Sequence, residues 1–328
     1  MKSQLRNKSN RLTIVKTFLW LMLCFSFTAS ANSFNNPQAW LQKLSQAVSE
    51  RNFNVSFVVL SQNADVEPYL WRHAVIDGVE VEHLNMLNGP GREVVRIGDR
   101  VSYFEPYTPP YTMRSSEING PIPYQLMRDY ENLSSSYNFV LVGRTRISGR
   151  AAQQIRIVSH DKSRYAYNLW LDQESGLMLK LDTIDLNGQV VEQLQVTSMQ
   201  LTEVPDDYFS RIELSRLPKV VELGTTADTR LGWQINWLPA GMRVVKQNVR
   251  QLAPNERPIE YMMLSDGMVD ISVYLQQLPN ELNQRTALKH QSNTLFTMQR
   301  DSLAVTVIGK LPAKTADAIA SSIGITPR

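Results

Sequence analysis

"RYAYNLWLDQESGLMLKLDTIDLNGQVVEQLQVTSMQL", Arg164–Leu201, is the stretch whose reading decides the fold. Tyr165, Tyr167, Leu169 and Leu171 fall at every second position, so they share one face of a strand. Leu177, Leu179 and Leu181 repeat the pattern on the next strand. Asn187-Gly188 then supplies a positive-φ pair for a tight hairpin, before "VVEQLQVTSMQL" takes up the alternation again. Strands joined by turns this short pair antiparallel.

Toward the N-terminus the same period recurs in "FNVSFVVLS", "YLWRHAVI", "VEVEHLNML", "REVVRIG", "FVLVGRTRI" and "QQIRIVS". A helix precedes them. Asn36 suits its N-cap, Pro37 its first position, and Trp40, Leu41, Leu44 and Val48 one apolar face. The expected architecture is a meandering antiparallel sheet with the helix over part of one face. Alternation lapses in "SRLPKVVELGTTADTR", which reads as a linker over residues 215–230. Beyond it, "QINWLPAGMRVV", "PIEYMMLSDGMVDISVYLQ" and "LFTMQRDSLAVTVIG" give a second set of strands. Val269, Ile271, Val273 and Leu275 alternate after the Asp266-Gly267 turn. "PAKTADAIASSI" closes the chain as a helix with Ala316, Ile319, Ala320 and Ile323 inward. The fold class is therefore β-rich α+β, with domains at 32–214 and 231–328.

Residues 1–31 read as a cleaved secretory leader. Lys2, Arg6, Lys8, Arg11 and Lys16 come first, then the apolar "TFLWLMLCFSFT", then Ala29-Ser30-Ala31. That apolar run falls short of the roughly 20 residues a spanning helix needs. Cys24 does not make a lipoprotein site, because Leu23 before it is large. Losing the five basic residues of the leader turns a formal net charge of +3 into −2. A nucleic-acid partner, which wants a basic stripe, loses its support. The single cysteine leaves too, so thiol catalysis, disulfides and cysteine zinc sites are excluded from the mature chain.

No catalytic motif stands out. His73, His83, His160 and His290 lie at no metal-ligand spacing and read as ordinary sheet histidines. "NGPGREVVRIG" opens like a phosphate loop, yet Pro90 removes an N–H donor and strand alternation follows. Arg92 and Arg96 read as one solvated face. "YFEPYTPPYTM" gathers Tyr103, Phe104, Tyr107 and Tyr111 among prolines, either as a stiff surface loop or as a lid over an apolar opening.

"NGPGREVV", "GRTRISGR", "SRYAYNLWLDQESGL", "WLPAGM" and "IEYMMLSDG" together resemble successive blocks of the RseB/MucB family, in order and over nearly the whole mature chain. Asn88, Met178 and Met242 depart from the family's usual Asp, Pro and Phe, all in turn or core positions. The resemblance implies an N-terminal LolA/LolB-like unclosed antiparallel β-barrel with a covering helix, plus a smaller C-terminal α+β domain. It implies a periplasmic regulator of the sigma-E stress response, with no cofactor. Such a regulator would bind the periplasmic domain of the anti-sigma factor RseA, shield it from the site-one protease DegS, and let go on meeting lipopolysaccharide or lipoprotein acyl chains. Tyr165, Tyr167, Leu169, Leu171, Leu177, Leu179 and Leu181 are the candidate lipid-cavity face, with Tyr107 and Tyr111 as candidate lid. Trp233 and Trp237 are candidate anchors for the partner. A LolA-type lipid or lipoprotein carrier is the alternative, and self-association stays open.

Overall fold

A computed structural model describes residues 36–221, 231–250 and 257–325. The leader and residues 222–230 of the linker lie outside the described residues. Helix α1 (Pro37–Glu50) starts where its cap residues place it: Asn36 accepts from the Gln38 N–H at 2.9 Å, and Pro37 opens the first turn. Its buried face is Trp40, Leu41, Leu44, Ala47 and Val48.

Strands β1 (Asn52–Ser61), β2 (Glu67–Ile76), β3 (Val79–Met86), β4 (Glu93–Ile97), β5 (Arg100–Phe104) and β6 (Tyr111–Arg114) run outward as a meander. Strands β7 (Tyr137–Ile147), β8 (Arg150–Ser159), β9 (Ala166–Asp172), β10 (Met178–Ile184) and β11 (Val190–Thr202) run back until β11 pairs with β1. All eleven form one antiparallel sheet whose ends, β6 and β7, do not meet. The barrel is unclosed. The chain between those ends, 115–136, carries two short helices, α2 (Tyr124–Arg128) and α3 (Tyr130–Leu133). This strap packs Ile118, Ile122, Tyr124, Leu126, Met127 and Leu133 into the same core as α1 and the inner faces of β1, β2, β9 and β10. Leu41, Leu44, Leu126 and Leu169 are wholly buried there, each contributing on the order of 1.5–3 kcal/mol of hydrophobic stabilisation.

The outer face is covered at one end by residues 208–212, where Phe209 packs on Ala74 and Val81. Residues 218–221 then return to the open edge: Val220 bridges Thr112 in parallel, and the Val221 N–H donates to the Thr112 carbonyl.

The second domain is a six-stranded antiparallel sheet in the order β13-β14-β15-β18-β17-β16. Its strands are β13 (Arg243–Arg250), β14 (Ile259–Ser265), β15 (Asp270–Gln277), β16 (Gln284–His290), β17 (Asn293–Arg300) and β18 (Leu303–Gly309). Helix α4 (Ala313–Ser321) buries Ala316, Ile319 and Ala320 against it, while Ile323 falls in β19 (Ile323–Ile325), which pairs with β12 (Trp233–Ile235).

Three local expectations need correction. The Asn187-Gly188 turn has positive φ at Gly188 only, at 83°. Asp185 builds a longer loop instead, its carboxylate accepting from the N–H groups of Asn187 and Gln189. Leu177, Leu179 and Leu181 do not form one row, because the β9–β10 register slips between Met178 and Lys180 and sets Met178 opposite Leu171. Arg96 is not solvated: it is 3% exposed on the inner face, ion-paired to Glu80 and Glu82. Only Arg92 is partly open, with its guanidinium 3.3 Å from Glu105.

Candidate functional site: the cleft between the domains

The two domains meet along a polar seam. Asp266, at the β14–β15 turn, reaches across to accept from the Tyr137 hydroxyl at 2.8 Å and from the Arg164 guanidinium. Its other oxygen accepts from the Met268 and Val269 N–H groups, both at 2.9 Å, so the carboxylate also shapes its own turn. Arg164 and Asp266 are wholly shut off from solvent at the side chain. Nearby, Asp161 accepts from the Ala240 N–H at 2.7 Å. Burial pushes its carboxyl up, but hydrogen bonds from Ser163 and Ala240 and the charge of Arg164 outweigh this and hold it at about 2. Thr315 donates to the Ser163 carbonyl, and Glu192 of β11 takes Ser292 and Lys310, both at 2.7 Å. Gly241 sits so close to Ser136 that a Cβ would fall 1.7 Å from its hydroxyl.

Beside this seam opens a cleft of about 730 Å³, within the range of small-ligand sites. The first domain lines it with Tyr103, Tyr111 and Met113 at the open edge, with the strap from Ser115 to Leu126, and with Tyr167, Leu181 and Thr183 of the inner face. The second domain contributes Arg243, Met263, the 267–270 turn, Asn293 and Lys310. Tyr103 and Tyr111 stack at 5.1 Å between ring centres, and the Tyr103 hydroxyl accepts from the Asn119 N–H at 3.1 Å, fixing the strap. Burial raises the Glu117 carboxyl above its ordinary range. The walls are thus mixed: aromatic and apolar side chains stand among the carboxylates of Glu117, Glu192 and Asp270 and the cations of Arg243 and Lys310, the last paired with Glu192.

The residues singled out in the sequence separate. Tyr167 and Leu181 line the cleft. Leu169, Leu171 and Leu179 are wholly buried in the barrel core, and Leu177 borders only a void of about 10 Å³ beside Trp71 and Met127. Tyr165 is buried, with Lys289 of the second domain 5.8 Å from its ring centre. Of the lid pair, Tyr111 lines the cleft while Tyr107 is 87% exposed. Trp233 belongs to the second domain's core, and Trp237 is 41% exposed. The sequence marks Asp266 only as a turn residue and gives Arg164 and Tyr137 no role, since nothing local pairs residues so far apart.

A half-barrel plugged by its own strap, joined through buried charges to a small α+β domain, with an amphipathic cleft at the junction: these features define the structural class. The chain belongs to the MucB/RseB family. The family's N-terminal domain model matches residues 36–221 and its C-terminal domain model residues 227–324. The sigma-E factor regulatory protein RseB of Salmonella typhimurium is 32% identical over 309 residues, covering 93% of this chain and 96% of that protein. Its Escherichia coli K12 counterpart is 32% identical over 299 residues, covering 90% and 93%. Among solved structures, MucB in complex with MucA(peri) matches with a TM-score of 0.70 at 25% identity, covering 89% of this chain and all of that one.

Proposed function

We propose that this chain is a periplasmic negative regulator of a sigma-E-type envelope stress response. It binds the periplasmic part of an RseA-type anti-sigma factor across the cleft and the second domain, and shields it from site-one proteolysis by DegS. It acts by occupying a peptide rather than by catalysis. The observation that carries this reading is that family likeness runs through both domains, and both build the cleft. A carrier that worked by its half-barrel alone would need an open apolar concavity, whereas the void among Val55, Trp71, Met127 and Leu177 is only about 10 Å³. Trp237 is an exposed aromatic of the second domain available as an anchor, and interface energy concentrates on such residues.

Lipopolysaccharide or lipoprotein acyl chains are the release signal in this reading. They enter the apolar side of the cleft at Tyr111, Tyr167 and Leu181 and disfavour the partner's bound state. Because coupling is reciprocal, the partner must weaken lipid binding by the same factor. Export by the leader places the mature chain where partner and signal meet. The test is the affinity of the mature chain for the partner's periplasmic segment, and that segment's survival under the site-one protease, each with and without a lipid A-like ligand. Tight binding with protection, both weakened by lipid, is expected. Unprotected partner at saturating protein overturns the regulator reading.

A further inference from the structure

On the inner face of the first sheet, one row crosses the strands: Phe53, His73, Glu82, Arg96 and Val101 stand opposite one another on β1 to β5. Three of these five are ionisable, and all three are buried: His73 at 1%, Glu82 at 0% and Arg96 at 3% exposure. From the strap above, Arg128 donates to Glu80 at 2.6 Å and to Glu82 at 3.1 Å, and Tyr124 donates its hydroxyl to Glu82. Glu82 also accepts from Trp71 Nε1 at 3.1 Å and from Arg96. Two carboxylates therefore face two guanidiniums, and the group is neutral overall.

One atom is left over. His73 Nδ1 lies 2.7 Å from the Arg51 carbonyl at the end of α1, which can only accept, so Nδ1 carries the proton. Nε2 of the neutral ring then holds a buried lone pair with no partner. A ring nitrogen of His73 and carboxylate oxygens of Glu80 and Glu82 lie within 4.8 Å of one another. His and two carboxylates are metal-ligand types. Here, however, the carboxylates are already neutralised by Arg96 and Arg128, and a divalent cation would have to displace both. A single proton fits better.

We propose that His73 Nε2 is a proton-binding site, and that proton uptake there loosens the strap that walls the cleft. The charged groups facing the ring are Glu80 and Glu82 from β3 and Arg128 from α2, with Arg96 of β4 behind Glu82 and only the carbonyl of Arg51 from the end of α1. Protonation takes this neutral group to a net positive charge. The imidazolium repels Arg128 and competes with it for the carboxylates. Arg128 is the strap's ionic anchor, and Tyr124, bonded to the same Glu82, is itself a wall of the cleft. Burial, the largest influence on His73, holds it below its ordinary 6.5, against the opposing pull of Glu82. The unfolded chain then binds the proton first, so stability is lost as pH falls below about 6.5 toward the lowered folded value. Only the consequence at the cleft rests on the proposed function; the proton site stands on the chain alone.

The test is an imidazole NMR titration of the mature chain from pH 8 to 4.5, with hydrogen exchange of strap amides 118–128 over the same range. His73→Asn keeps a donor for the Arg51 carbonyl but has no second nitrogen. In the wild type, His73 should titrate below the ordinary histidine value of 6.5. Strap exchange, corrected for its intrinsic pH dependence, should rise by up to tenfold per pH unit as pH falls from about 6.5 to that midpoint, and level off below it. His73→Asn should abolish the rise. If that variant does not fold, whether the wild-type rise in strap exchange ends at the His73 midpoint decides. A His73 that stays neutral to pH 4.5, or strap exchange unchanged while His73 titrates, overturns the proposal. Neither readout contains partner or lipid, so that failure leaves the regulator reading untouched.

Discussion

Replacing Asp266 with Asn tests whether the buried seam holds the domains together. Asn keeps an oxygen for the Met268 and Val269 N–H groups, so the turn survives. What disappears is the negative charge facing Arg164, whose side chain is wholly buried. Stranding one member of a buried ion pair costs about 3–5 kcal/mol. Asp161, 3.4 Å from the same guanidinium, offsets part of this, which places the expected loss near the lower figure of about 3 kcal/mol. Calorimetry is the suitable assay, because two-domain unfolding need not be two-state. The second domain's transition should move down and separate from the first. In an Arg164→Met background the wholly buried Asp266 carboxylate is itself the stranded charge, so the same substitution should be near neutral or stabilising. An equal cost in both backgrounds, or a loss below about 1 kcal/mol in the wild type, would refute the reasoning.

Leu169→Ala should destabilise the first domain by about 2–5 kcal/mol in denaturant titration, since Leu169 is wholly buried; a loss under 1 kcal/mol would show an open cavity at that face. Trp237→Ala should leave the melting temperature nearly unchanged yet weaken the partner at least fivefold, whereas Trp233→Ala should cost about 3–5 kcal/mol of stability through its core position. Equal effects of the two on stability would contradict the separation. Arg243→Glu combined with Lys310→Glu should lower affinity for an acidic partner segment about tenfold at low salt and less at high salt; salt-independent binding would remove the rim from the interface. Asp161 holds its carboxyl at about 2 against an ordinary 3.8. Its contribution to the seam is therefore present above pH 3.8 and fades as pH falls through 2, so Asp161→Asn should flatten the stability profile in that window.

The strands were legible because each buries one face, and burying one face writes a period of two into the chain. The cap of α1 was legible for the same local reason, since Asn36 and Pro37 act within one turn. Inner-face chemistry was not. The alternation in "VEVEHLNML" is real, but Glu82 faces the core and Val81 faces outward, because the segment at Phe209 covers the outer side as well. Period alone cannot say which face is inside when both are covered. The bulge at Met178–Lys180 likewise scattered a leucine row that looked continuous. The seam needed pairs such as Tyr137 with Asp266, over a hundred residues apart, which no local pattern encodes. Function was reached through resemblance, and the family match supports it.

The return of residues 218–221 to the sheet has a consequence for solubility. An open eleven-stranded sheet has two raw edges, each a template on which another chain could polymerise. At β6 the chain's own Val220 lies against Thr112 and occupies that template before the polypeptide leaves for the second domain. Among the described residues, no strand arrives at β7. That edge breaks its pairing register between Leu141 and Gly143 and follows its exposed Val140 and Val142 with the solvent-facing cations Arg144 and Arg146. One edge is stopped by an internal capping segment, the other by a kink and like-charge repulsion between copies. The sheet can thus stay unclosed without becoming a seed for fibres.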